Sequence, residues 1–194
     1  METYGFDPSD CTFSVSKYQK MVEVGILTKD DKVELLEEHI VLKFSRTPLH
    51  DGTLQIAYKS LDELIPNGWL LRNQAAVALA DSQPEPDLSV VRGNLRSFLS
   101  RHAGPAETGL LIEVADSSLL RDQRDKTRIY ARANIPVYWI INLVDQRVEV
   151  YTQPSGPIEV PAYVAFQTFQ PGDAVPLVLD GVTVANMPAV ELLP

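Results

Sequence analysis

The sequence predicts an α/β (α+β) fold: a mixed sheet with helices on its faces. Three features predict it. Two short apolar runs, 87–91 and 109–115, each carry a single acid, Asp87 and Glu113. An amphipathic segment, 120–133, leads into an almost wholly apolar run, 137–143. Strand, strand, helix and strand in that order belong to a layered architecture, and the step from 109–115 to 137–143 is expected to be a parallel crossover. Beyond Gln153 the chain breaks into short strand-like pieces punctuated by Pro and Gly, which predicts a β elaboration.

With 194 residues, 45% hydrophobic and 22% charged, the chain can bury a full core. One domain over 1–194 is expected. It divides into a loose arm (1–13), a helix and hairpin (14–47), a core (48–152) and a C-terminal β elaboration (153–194). The one cysteine, Cys11, excludes an intrachain disulfide and a Cys-rich zinc site, and a reducing, cytoplasmic setting follows. METYGFDPSD has no basic region before an apolar run, so no signal peptide is expected. No run reaches the ~20 apolar residues of a membrane span. The net charge of −9 argues against a protein that coats nucleic acid non-specifically. It is compatible with a nuclease whose local cations and bound Mg²⁺ offset the global field.

Taken in order, Ser14 or Ser16 can cap a helix through about Val24, with Tyr18, Met21, Val22 and Ile26 inward. VELLEEHIVLKF reads as a hairpin around Glu37-Glu38, a poor turn pair, with Val33, Leu35, His39 or Ile40, and Leu42 inward; a helix is the alternative. Residues 48–65 read as a helix, with Pro48 in its first turn and Pro66-Asn67-Gly68 stopping it. Residues 69–72 and 75–80 read as strand material. DSQPEP is a connection, and Pro86 holds Glu85 extended. Residues 94–102 read as a short helix. The run 109–115 is apolar on both faces apart from Glu113, so it belongs at the sheet centre. Helix 120–133 buries Ile129, Tyr130 and Ala133 and turns Arg121, Arg124, Asp125 and Arg128 outward. Residues 148–152 partner 137–143, and 187–193 form a last helical turn.

Asp87 and Glu113 can meet at one end of the sheet, where a hard cation takes oxygen ligands. A lone charge such as Glu113 in an apolar strand is costly unless paired or metal-bound. Asp122 and Lys126 stand one helical turn apart and share a face. A lysine beside such a metal can orient or deprotonate water, or neutralise charge on a scissile phosphate. Each element has a blander reading. Pro-Asp is a common turn, and Asp122 with Lys126 is most often a solvated helix pair. Arg121, Arg124, Arg128 and Arg132 offer a phosphate strip, although such runs are usually only a solvated face. Tyr130 and Trp139 read as core.

The order Pro86-Asp87, Glu113, Lys126 resembles a variant of the PD-(D/E)XK nuclease motif. The usual lysine position, two after the acid, is Ala115; in the superfamily the lysine can migrate to the next helix. EPDLSVVRG, LLIEVADSSLLRDQRDKTRIYARANIPVYWIINL, VEVY, VELLEEHIV and Pro48–His50 are similar to the Uma-type restriction-like endonuclease family, over roughly 15–190. That family usually has Gly where Glu38 stands. The resemblance implies a restriction-endonuclease-like fold and Mg²⁺-dependent (or Mn²⁺-dependent) cleavage of DNA. Asp87 and Glu113 would hold the metal, and Asp87, Glu113 and Lys126 would be catalytic. Glu34 and His50 match further positions and, with Asp122, are candidate additions to the site. A homodimer is expected, since a double-strand cutter needs two sites and the apolar C-terminal segment offers a surface. Lys126→Ala is expected to abolish turnover while changing stability little. A non-catalytic interaction protein of the same fold, or hydrolysis of a small phosphodiester, are the alternatives.

Overall fold

The structure is a computed structural model describing residues 11–194. Most of the expected arm, residues 1–10, lies outside the described residues. Among the described residues a six-stranded sheet runs in the order β3-β4-β5-β6-β7-β8. Its strands are β3 (Trp69–Asn73), β4 (Leu88–Arg92), β5 (Thr108–Ala115), β6 (Val137–Asn142), β7 (Arg147–Pro154) and β8 (Tyr163–Phe169). Only β5 and β6 pair in parallel, with Leu110 against Val137 and Glu113 against Ile140; the other neighbours are antiparallel. The sheet is therefore mixed and β5 is central, as its apolar run implies.

Alternation along β5 sorts its side chains between two cores. Leu110, Ile112 and Val114 face a layer made by helix α2 (Pro48–Asp62) and the hairpin β9 (Ala174–Leu179)–β10 (Val182–Pro188). Leu111 and Ala115 face Ile129 and Tyr130 on the opposite side. Glu113 shares the parity of Leu111 and Ala115, so it points toward the helical crossover that follows β5.

That crossover departs from the single helix expected over 120–133. It comprises α3 (Leu119–Arg121), a π turn (Asp122–Lys126) and α4 (Thr127–Arg132). The wider turn turns both Asp122 and Lys126 into the protein. Lys126 is thus buried rather than part of a solvated helix pair.

At the N-terminus, Ser14 caps α1 (Val15–Glu23), accepting from Lys17 N at 3.3 Å. Of the four side chains expected inward, Tyr18 is buried, whereas Val22 and Ile26 are exposed because the short helix lies at the surface. The hairpin β1 (Val33–Leu36)–β2 (His39–Leu42) forms around Glu37 and Glu38, both with positive φ. Its expected alternation fails. Glu34, Leu35 and Leu36 are all buried, since the hairpin packs against residues 82–85 and both faces of β1 are covered. Leu42, expected inward, is exposed at the open end of the hairpin.

Residues 75–80 form no strand. Gln74 takes positive φ, and the following amides bond to loop carbonyls, Val77 N to Pro84 O and Leu79 N to Ser82 O. Helix α2 ends at Asp62, short of the expected 65, and the region 94–102 holds one 3-10 turn, Leu95–Phe98. A 3-10 turn, Ala189–Glu191, occupies the expected final helical turn. Val175, Leu177, Leu179, Met187 and Leu192 are packed in the chain's own core. Val160, Val164, Phe166 and Val182 of the same segment are exposed, so apolar surface remains on it beyond what the core takes up.

Candidate active site

The register Leu88↔Ile112, continued one step, sets Asp87 beside Glu113 at one end of the sheet. Asp87 Oδ2 accepts from Val114 N at 2.9 Å and lies 3.2 Å from His50 Nε2. His50 is itself placed by the start of α2. Thr47 caps that helix by accepting from His50 N, and its hydroxyl donates to Asp116 Oδ2 just after β5. His50 Nδ1 stands 3.5 Å from Asp51 Oδ1, a charge contact without hydrogen-bond geometry. Burial opposes protonation of His50, but Asp87 and Asp51 outweigh it and lift the imidazole above its ordinary value.

Lys126 Nζ sits among three carboxylates. It donates to Glu113 Oε1 at 2.8 Å and lies 3.6 Å from Asp122 Oδ1 and 3.8 Å from Glu34 Oε1. Tyr130 also donates to Glu113 Oε1, at 2.9 Å. Glu34 Oε2 accepts from Glu85 N, which ties β1 to the connection before β4. Asp122 Oδ2 accepts from Ser118 Oγ, while its buried Oδ1 accepts no hydrogen bond among the described residues.

Burial pushes the Glu113 carboxyl well above the ordinary carboxylate range; Lys126 opposes the rise, and Asp122 and Asp87 add to it. Burial raises Asp122 as well. Burial opposes the charge on Lys126, but Glu113, Glu34 and Asp122 outweigh it and hold the ammonium well above its ordinary value.

A cavity of about 270 Å³ opens over this cluster and is lined by all six sequence-selected residues: Glu34, His50, Asp87, Glu113, Asp122 and Lys126. The family model described as "Putative restriction endonuclease" (Uma2) matches residues 15–187. The chain belongs to the Uma2 family. The fold agrees with a solved structure whose title reads "putative nuclease belonging to DUF820", from Anabaena variabilis. The two share 15% identity with a TM-score of 0.71, over 93% of this chain and 97% of that one. At that identity the likeness speaks for the fold alone, here a nuclease-like mixed sheet. No curated protein matches the chain.

In this Uma2 chain the cavity donors are mainly carboxylate oxygens, the class a hard divalent cation prefers. Three acids surround one lysine and a fourth stands alongside, so negative charge exceeds positive charge. Asp122 Oδ1 has the Lys126 ammonium at 3.6 Å but accepts no hydrogen bond among the described residues. Among the described residues no three His, Cys, Asp or Glu side chains already converge as a metal cage. The central place among the acids is held by the Lys126 ammonium. The donor set thus fits a cation by its chemistry.

Three participants escaped the sequence reading. Tyr130 lies in the core as expected, and its hydroxyl also reaches Glu113; it is four residues beyond Lys126 and continues the face of Asp122 and Lys126. That i, i+4 stripe was a readable signal. Thr47 and Asp116, which join α2 to the end of β5, carried no such signal. Three of the four arginines of the expected strip are engaged within the protein. Arg128 pairs with Glu37, Arg132 with Glu37 and Asp81, and Arg121 donates to Leu42 O at 2.6 Å, while Arg124 is exposed.

Proposed function

We propose that this chain is a divalent-metal-dependent endonuclease that hydrolyses phosphodiester bonds in DNA. In this reading it works as one domain, as a homodimer, in the cytoplasm. The observation that carries the reading is the meeting of Asp87, Glu113 and Lys126 at one cavity in a Uma2-family fold. Asp87 and Glu113 would hold Mg²⁺ or Mn²⁺, with Asp122 and Glu34 within the same acidic cluster. When bound, such a metal polarises a phosphoryl oxygen and lowers the pKa of water.

The chain's own groups divide the remaining work. Val114 N and His50 orient the Asp87 carboxylate. Tyr130 fixes Glu113 by a hydrogen bond. The carboxylates around Lys126 favour its ammonium form. In that form it offers a hydrogen-bond donor and a positive charge toward water or a phosphate oxygen.

A cleavage assay on single- and double-stranded DNA, RNA and a small phosphodiester, with Mn²⁺, tests the reading beside Glu113→Ala. Metal-dependent cleavage of DNA that Glu113→Ala abolishes supports it. No cleavage of any substrate, together with no Mn²⁺ binding by calorimetry, would leave the second reading, a non-catalytic interaction protein. The closed Lys126–Glu113 pair is the observation that favours that second reading.

A further inference from the structure

The acids lie inside the cavity, and cations stand around its mouth. Lys29, Lys32, Lys43, Arg46 and Arg121 line it together with Phe44. The half-buried acids Glu85 and Asp116 line it too, so five cations stand against two acids there, a local reversal of sign in a chain of net charge −9. Lys43 is paired with Glu85 at 2.6 Å and Arg46 with Asp51 at 3.6 Å. Lys29 and Lys32 are exposed and have no carboxylate within ion-pair distance among the described residues. Beside the exposed Asp30 and Asp31 these two ammonium groups make no ion pair among the described residues, and a nucleic-acid backbone is the polyanion that complements the cationic rim.

The mouth also carries an aromatic ring. Phe44 is 44% exposed on the link between β2 and α2, and the Arg121 guanidinium lies 4.4 Å from its centroid. Arg121 also donates to Leu42 O, so one side chain pins this link at both Leu42 and Phe44 and holds the ring at the entrance. Glu113, Asp122 and Lys126 are only 4%, 1% and 6% exposed beneath it. A phosphate must enter a cavity of about 270 Å³ to reach them. A stacked, paired duplex presents its phosphates on a broad convex surface, whereas an unpaired strand can bend one phosphate inward and turn a base onto a ring. A cationic groove beside an exposed aromatic ring is the arrangement that binds single strands.

We infer that the mouth of this cavity takes a locally unpaired DNA strand, with Phe44 stacking on a base and Lys29 and Lys32 holding flanking phosphates. The inference rests on the nuclease reading and adds the form of its substrate. Fluorescence anisotropy tests it with a fluorescein-labelled oligodeoxynucleotide, single-stranded or annealed to its complement, in Ca²⁺ without Mg²⁺ or Mn²⁺. The proteins are wild type, Phe44→Ala, the pair Lys29→Gln/Lys32→Gln, and Lys59→Gln as an exposed control on α2 that does not line the cavity. Circular dichroism checks that each is folded.

The wild type is expected to bind the single strand about tenfold tighter than the duplex, and Phe44→Ala to lose most of that preference. The lysine pair is expected to lower the salt slope for the single strand by about 1.4, at roughly 0.7 per cation. The control should match wild type. Equal binding of duplex and single strand, or an unchanged Phe44→Ala, overturns this inference. If metal-dependent cleavage persists in that case, the nuclease reading stands without it. Failure to bind either DNA removes both.

Discussion

Lys126 Nζ lies 2.8 Å from Glu113 Oε1, and both side chains are buried. One comes from the π turn and the other from the central strand, so this pair ties the helical crossover to the sheet at the point where the chemistry is proposed. Removing Lys126 leaves Glu113, Asp122 and Glu34 buried without the cation they share.

Lys126→Ala is therefore expected to destabilise the protein as well as to abolish turnover, contrary to the expectation of little change in stability. The loss should be on the order of 3–5 kcal/mol, typical of a broken buried pair. Without the ammonium the raised Glu113 pKa rises further. A carboxyl whose folded pKa is raised favours the fold below its unfolded value and disfavours it as pH passes through the folded one. Urea unfolding at pH 5 and pH 8 should show the larger deficit at pH 8. A deficit independent of pH would argue against unpaired carboxylates as its cause.

Metal binding should release a proton. Glu113 retains its proton at pH values where an exposed glutamate has lost it, and a ligating carboxylate must be ionised. Calorimetry with Mn²⁺ in two buffers of different ionisation heat measures the proton count, and apparent affinity should rise with pH. Binding with no proton release would speak against Glu113 as a ligand.

Glu38→Gly should stabilise the protein by about 0.5–1 kcal/mol, as glycine relieves a left-handed backbone. Glu37 and Glu38 have φ of 48° and 63° in a two-residue hairpin turn. Position 38 is the better one to change, since Glu37 is paired with Arg128 and Arg132. The Glu38 backbone bonds, N to Asp81 O and O from Phe13 N, do not depend on its side chain. A melting temperature at or below wild type would show that the strain is compensated elsewhere.

Glu149 gives the protein an acid-sensitive point away from the site. Burial would raise this carboxyl, but hydrogen bonds from Asn142, Gln123, Tyr151 and Arg147 outweigh it and hold it below the ordinary value. A lowered folded pKa contributes stability above the unfolded value, about 4.5, which is lost as pH falls through the folded one. Glu149→Gln should cost about 1–3 kcal/mol at pH 7, and the gap from wild type should close below pH 4.5. Chemical unfolding across pH 3–7 measures it, and a gap that widens in acid would contradict the assignment.

The sequence by itself determined the order of the core elements and picked out six residues that line one cavity. Long apolar runs such as 109–115 and 137–143 can only be buried, so strand, helix and strand were legible from composition and period. A single acid in such a run needs a partner, which marked Glu113, and the i, i+4 relation paired Asp122 with Lys126. What surrounds those residues was not legible, because it depends on contacts between distant segments. Only the fold brings Glu34 of the hairpin within 3.8 Å of Lys126, or seats His50 on Asp87 through a cap whose hydroxyl donates to Asp116. The π turn escaped for a related reason: a helical period of 3.6 cannot report one extra residue in a turn, and that residue helps carry both charges into the interior. Residues 75–80 carried a strand-like composition, yet their backbone bonds go to Pro84, Ser82 and Ala103 in connecting segments rather than to a strand of the sheet. Local propensity sets which conformations are cheap, and tertiary partners decide which of them is used.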